Sequence, residues 1–109
     1  MMSEKPHPIE EGWAELTSVD KLIHEPARLS IMTILSVVDR ADFLYLKKAT
    51  KLTKGNLSAH MQKLEAADLI EIEKTYQGKT PRTLCQLTAQ GQKAFEQYKQ
   101  QMLNLLGDG

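Results

Sequence analysis

Leu52-Thr53-Lys54-Gly55-Asn56-Leu57-Ser58-Ala59-His60-Met61-Gln62-Lys63-Leu64-Glu65-Ala66-Ala67 holds the most informative pattern in this 109-residue chain. Leu57, Met61 and Leu64 stand at i, i+4 and i+7, which places them in one narrow apolar stripe on a helix. Thr53 precedes the stripe and is a good N-cap, because its hydroxyl can accept a backbone N–H of the first turn. A helix is therefore expected from Lys54 to about Ala67. Gly55 and Asn56 form helix poorly, but they fall in its first turn, where the penalty is smallest. The stripe must pack on a core. The positions around it (Lys54, Asn56, Ser58, Ala59, His60, Gln62 and Lys63) are small, basic or able to donate and accept hydrogen bonds, and no acid appears before Glu65.

Upstream, Asp42 is positioned to cap a helix from Phe43 to Thr50, with Leu46 and Ala49 on one side and Lys47 and Lys48 near the other. Lys51-Leu52-Thr53 is the break between the two helices. Two short helices joined this closely, the second with a narrow apolar stripe, have the layout of a helix-turn-helix. Further upstream, Ile31, Ile34, Leu35 and Val38 follow helical spacing, widened by Leu29 and Met32. Pro26 suits the first turn of that helix, where its missing N–H costs nothing. Trp13, Leu16, Val19, Leu22 and Ile23 predict a shorter amphipathic helix capped by Thr17 or Ser18, which stops near His24-Glu25-Pro26. Residues 1–12 read as a loose arm.

Downstream the period changes to two. Ile70, Ile72 and Tyr76 share one strand face, and Glu71 and Glu73 the other. Gln77-Gly78-Lys79-Thr80-Pro81 is a turn by composition. Thr83, Cys85 and Leu87 alternate inward on a returning strand. Thr88 caps a last helix with Gly91, Ala94, Phe95, Tyr98, Met102 and Leu105 at helical spacing. The expected class is mainly α with a small β-hairpin.

Fourteen basic and fourteen acidic residues cancel, but they are not mixed evenly. Residues 1–25 hold six acids against two lysines. Residues 43–64 hold Lys47, Lys48, Lys51, Lys54 and Lys63 with no acid, and residues 74–95 hold Lys74, Lys79, Arg82 and Lys93 with none. An acid-free basic face binds a polyanion even when the total charge is zero, because the local field governs association. A polar, uncharged or basic helix face beside a basic hairpin points to nucleic acid: the helix suits a major groove and the hairpin the adjoining backbone. An ordinary solvent-facing helix carries glutamate as freely as lysine, and that is not the pattern here.

The chain resembles the small single-domain winged-helix DNA-binding regulators of the MarR/ArsR-like superfamily. The likeness runs over roughly residues 18–106. It is carried by His24-Glu25-Pro26-Ala27-Arg28-Leu29-Ser30-Ile31, by residues 52–67, by Gly78-Lys79-Thr80-Pro81-Arg82-Thr83 and by Leu87-Thr88-Ala89-Gln90-Gly91. The resemblance implies a winged helix-turn-helix that acts as a homodimeric transcriptional regulator, a repressor. Helix 54–67 would read bases through Asn56, Ser58, Ala59, His60 and Gln62. Lys54, Lys63, Lys79 and Arg82 would contact phosphates, with the wing at 74–83 on the backbone and Thr53 adding its hydroxyl. Arg28 would be structural. The expected organisation is an arm with the start of a dimerisation segment at 1–17, the DNA-binding domain at 18–87, and a dimerisation helix at 88–109.

Trp13, Leu16, Phe95, Tyr98, Met102 and Leu105 provide more apolar surface at the two ends than one copy needs, so they are expected to pair two copies. Two recognition helices about one DNA turn apart (roughly 34–36 Å) also supply affinity that one helix lacks. The chain departs from the metal-sensing regulators by having neither a cysteine-rich nor a histidine-rich motif, so no metal or other cofactor is expected. Cys85 is the single cysteine, unable to form an internal disulfide, and reads as a small core residue in a reducing cytoplasm. No apolar run is long enough to span a membrane, and no secretory signal is visible at the start. An unknown small effector is the remaining expected partner besides double-stranded DNA and a second copy. The competing reading is a winged helix used as a protein-interaction module without DNA binding. An enzyme is not expected: there is no Ser–His–Asp set, no HExxH, no phosphate-cradling glycine loop and no paired carboxylates.

Overall fold

The computed structural model describes residues 16–107. Five helices and a three-stranded antiparallel sheet follow one another among them: α1 (Ser18–Ile23), α2 (Pro26–Val37), β1 (Ala41–Asp42), α3 (Phe43–Thr50), α4 (Lys54–Ala66), β2 (Ile70–Gln77), β3 (Thr80–Leu87) and α5 (Ala89–Leu106). Each helix begins at a side-chain oxygen that accepts an otherwise orphaned backbone N–H. Thr17 and Asp20 form a reciprocal capping box on α1. The Glu25 carboxylate accepts from the N–H groups of Ala27 and Arg28, leaving Pro26 at the first position of α2. Asp42 accepts from Tyr45 at 2.8 Å, Thr53 from Asn56 at 3.1 Å and Thr88 from Gly91 at 2.8 Å. The breaks are equally local: α3 ends at Lys51 with φ 60°, and the turn after α4 passes through Asp68 with φ 66°.

The sheet order is β1-β3-β2. The hairpin pairs from Ile70↔Leu87 out to Gln77↔Thr80, with Gly78 at φ 64° in its tip, a conformation glycine adopts at no steric cost. β1 was not expected from the sequence. Its two residues pair with Cys85 and Leu84 of β3, and a strand that short leaves no period-two signal.

Ile23, Ile31, Met32, Leu46, Leu57, Leu64, Leu69, Ile70 and Cys85 are fully buried and draw every helix except α5 together with the base of the sheet. α5 joins through Ala94, Phe95 and Tyr98. Complete burial of side chains this size is worth about 1.5–3 kcal/mol each. The stripe Leu57, Met61 and Leu64 therefore holds α4 down firmly on one side only. Ala49, expected to face inward with Leu46, is exposed.

Two residues expected at a dimer interface belong to this core instead. Phe95 and Tyr98 are each 4% exposed, stack with ring centroids 6.4 Å apart, and Tyr98 meets His24 Nδ1 through its hydroxyl at 2.6 Å. They pack inward because α1 lies against α5 and supplies the cover. Leu16 is also buried, and Trp13 lies outside the described residues. Burial, with the Glu65 charge adding to it, pushes the Cys85 thiol up to about 12, so it stays protonated and unreactive. No helix among the described residues is long and apolar enough to cross a membrane.

Candidate nucleic-acid interface

Helical geometry assigns α4 three surfaces. Leu57, Met61 and Leu64 are buried. Directly opposite, at 100° per residue, stand Gly55, Ala59 and Ala66, a low ridge flanked by Gln62 on one side and by Lys63 and Asn56 on the other. All six are exposed. Small side chains at the crest let another surface approach the helix closely, while the amide and amine side chains beside them extend past it. None of the described polypeptide covers this crest.

The two flanks differ. On one, His60 turns inward: its Nδ1 lies 3.1 Å from Arg28 Nη1 and 3.4 Å from Glu25 Oε2, and its side chain is only 22% exposed. Arg28 in turn donates through Nε to the Leu22 carbonyl at 2.6 Å. His60 was expected to face bases; the structure ties it to the start of α2. Arg28 is held by these contacts within the chain.

On the other flank, α4 and the hairpin enclose an open groove of about 450 Å³ lined by Lys54, Ser58, Gln62 and Glu65 on the helix and by Ile72, Lys74 and Thr83 on the sheet, with Phe43 and Met61 beneath. It shares Phe43, Lys54 and Thr83 with a second groove of about 430 Å³, which runs on past Lys47 and Arg82 toward the wing tip. Ser58 is half-buried in the first groove, and the exposed Thr53 caps α4, its Oγ1 accepting from the Asn56 N–H.

The wing carries Lys79 at its exposed tip. Arg82, expected on phosphate, is bound within the chain: its Nη2 lies 2.9 Å from Asp42 Oδ2. Period-two spacing could not reveal this, because Asp42 is forty residues away and comes alongside β3 only through β1. Lys47 and Lys74, counted in the acid-free basic runs but not among the residues expected to contact DNA, line the grooves. Tyr76, expected on the inner strand face, is 70% exposed, because the hairpin projects beyond the core there. The acid-free runs at 43–64 and 74–95 were the signal that would have included both lysines.

Two carboxylates feel these arrangements. The N–H of Tyr45 and then the Arg82 guanidinium hold Asp42 below the usual carboxylate range, against a smaller desolvation effect. Desolvation is the largest single influence on Glu25 and pushes it up. The Ala27 and Arg28 amides and the charges of His60 and Arg28 together outweigh that, and the net shift is downward. A lowered folded pKa contributes stability above the unfolded value, near about pH 4, and that stability is lost as pH falls through the folded value. Asp42→Asn keeps a capping side chain but removes the titration. Urea unfolding at neutral pH and below about pH 4 is expected to show a smaller acid-induced loss for this variant than for the parent. An equal loss in the two chains would show that Asp42 is not coupled to folding.

A helix pair with an exposed second helix, set beside a small sheet whose hairpin projects, defines a winged helix-turn-helix protein. Residues 27–106 match the winged helix DNA-binding domain family, and the chain belongs to that family. An uncharacterised protein of Methanocaldococcus jannaschii is 32% identical over 85 residues, covering 78% of this chain and 92% of that one. Among solved structures, a transcriptional regulator homologue from Pyrococcus horikoshii OT3 superposes with a TM-score of 0.78 at 25% identity, over 92% of this chain and 94% of that one. A MarR-family transcriptional regulator from Silicibacter pomeroyi has a TM-score of 0.62 at 18% identity, over 90% of this chain and 61% of that one, and shares the fold.

Proposed function

We propose that the protein binds double-stranded DNA sequence-specifically as a homodimeric transcriptional regulator and represses by occupying its site. The observation that carries this reading is the uncovered crest of α4: small residues at Gly55, Ala59 and Ala66, readers at Asn56 and Gln62, and no carboxylate before Glu65. Asparagine and glutamine can pair bidentately with adenine in the major groove, and an alanine methyl suits the thymine methyl. Lys63, beside the crest, and Lys79, at the wing tip, are exposed cations suited to phosphate contacts, which fix register without reading sequence. Membership of the family and the likeness to a transcriptional regulator homologue support the DNA-binding regulator in this reading.

The dimer reading rests on the end of α5. Leu103 and Leu106 are more than 60% exposed, next to half-buried Met102 and Leu105. Four apolar side chains within five positions at one end of a helix are best covered by the same surface of a second copy, an isologous contact.

Selection of bound fragments from randomised duplexes tests the reading. The expected product is a pseudo-palindromic site with half-sites about one DNA turn apart. Asn56→Ala or Gln62→Ala should change the preferred bases, each at a cost of roughly 1–3 kcal/mol. Leu106→Asp should sediment as a monomer and lose most of its site affinity. Failure to enrich any sequence, with flow-through on a DNA column, would favour the protein-interaction module instead.

A further inference from the structure

The grooves on either side of Lys54 join into one trough between the helices and the wing, and its cationic groups fall into two kinds. Lys47, Lys54 and Lys74 are exposed along it and make no ion pair with any described residue. Arg82 is engaged: it bonds Asp42, which at the same time caps α3 through Tyr45 and sits in β1 opposite Leu84 of β3. One carboxylate therefore joins the wing strand to the start of the helix pair. Arg82 meets Asp42 Oδ2 through Nη2, so a phosphate drawing on that same N–H would have to displace a 2.9 Å ion pair and settle beside the abandoned Asp42 carboxylate, two anions side by side at a half-buried position.

We propose that this trough seats one sugar–phosphate strand of duplex DNA, with Lys47, Lys54 and Lys74 as its phosphate ligands and Arg82 as a positioning residue. The Asp42–Arg82 pair sets the distance between wing and helices, and that distance is the width of the trough. Glu65 lies at the α4 end of the lining, where its charge turns the strand away from the helix. The proposal rests on the DNA-binding reading and deepens it by assigning the backbone's path.

The experiment titrates a labelled mixed-sequence duplex with the full chain over a range of salt concentrations. Each variant is measured well below its own melting temperature. Lys47→Ala and Lys74→Ala should each weaken binding by up to about tenfold and flatten the log–log salt slope by about 1, since each lost phosphate contact releases fewer counterions. Arg82→Gln and Asp42→Asn should each weaken binding by a similar factor with the slope unchanged. The double variant should be no weaker than either single one, because the two residues act as a unit. If Arg82→Gln flattened the slope while Asp42→Asn tightened binding, Arg82 would be a ligand held in reserve and the positioning role would be overturned. Unchanged slopes for both lysine variants would remove the backbone from the trough. If the unsubstituted chain bound no duplex at any salt concentration, the DNA-binding reading would itself fail, a result distinct from either of these.

Discussion

A Gly91→Ala chain is expected to lose about 3 kcal/mol of folding stability, the upper end of the usual range for overpacking. For a domain of this size that corresponds to a fall in Tm of roughly 15 °C. Gly91 lies in the first turn of α5, where its N–H is taken by the Thr88 cap. A Cβ placed there would stand 1.9 Å from the carbonyl oxygen of Leu69 and 2.8 Å from its carbonyl carbon. That carbonyl cannot easily retreat: it accepts from the Thr88 N–H at 3.1 Å, and the neighbouring Asp68 carbonyl accepts from the Thr88 hydroxyl. Leu69 itself is fully buried. The close approach is what lets α5 start directly against the end of the hairpin. Helix propensity alone predicts the opposite sign, since alanine is preferred to glycine by about 1 kcal/mol within a helix. Gly55→Ala is the control, because nothing lies within 4 Å of a Cβ at that position; it should be neutral or slightly stabilising. Thermal melts of the two variants decide the matter, and a Gly91→Ala chain that melted no lower than the parent would show that the junction yields.

The largest expected effect on function comes from Ala59→Glu. Ala59 stands at the middle of the exposed crest of α4, so a longer side chain meets no protein and the fold should be unchanged. In the proposed complex, a carboxylate at that point would be pushed into the floor of the major groove between two phosphate rows. Like charges brought together across an interface cost several kcal/mol, so duplex affinity should fall by about a hundredfold or more. Ala59→Lys separates charge from bulk: it should keep or raise affinity for random duplex while losing discrimination among sequences, because a phosphate contact carries no sequence information. Circular dichroism and melting temperature should match the parent in both. An Ala59→Glu chain that bound as well as the parent would place the interface elsewhere.

Legibility differed by residue, and the differences have physical causes. Thr17, Asp42, Thr53 and Thr88 could be recognised as caps because a cap acts within three residues of itself. Leu57, Met61 and Leu64 could be recognised because helical spacing alone puts them on one side. Phe95 and Tyr98 show the limit of that method. Their spacing marked an apolar face but could not say whether the chain's own α1 or a second copy would cover it, and α1 covers it. Leu103 and Leu106 were left exposed by the same packing. His60 and Arg82 were misjudged as free contacts for a related reason: their partners, Glu25 with Arg28 and Asp42, lie more than thirty residues away.

The linear chain was thus sufficient for where helices begin and end, where the hairpin turns, which stripe of α4 goes inward, and which stretches exclude acids. All of these depend on interactions spanning a few residues or on composition. Tertiary structure alone determined which cations are spent in ion pairs and which remain available, how close α5 comes to Leu69, and that the helices and wing enclose a trough. Each of these depends on distances between segments far apart in the chain, and those distances are set only when the core closes.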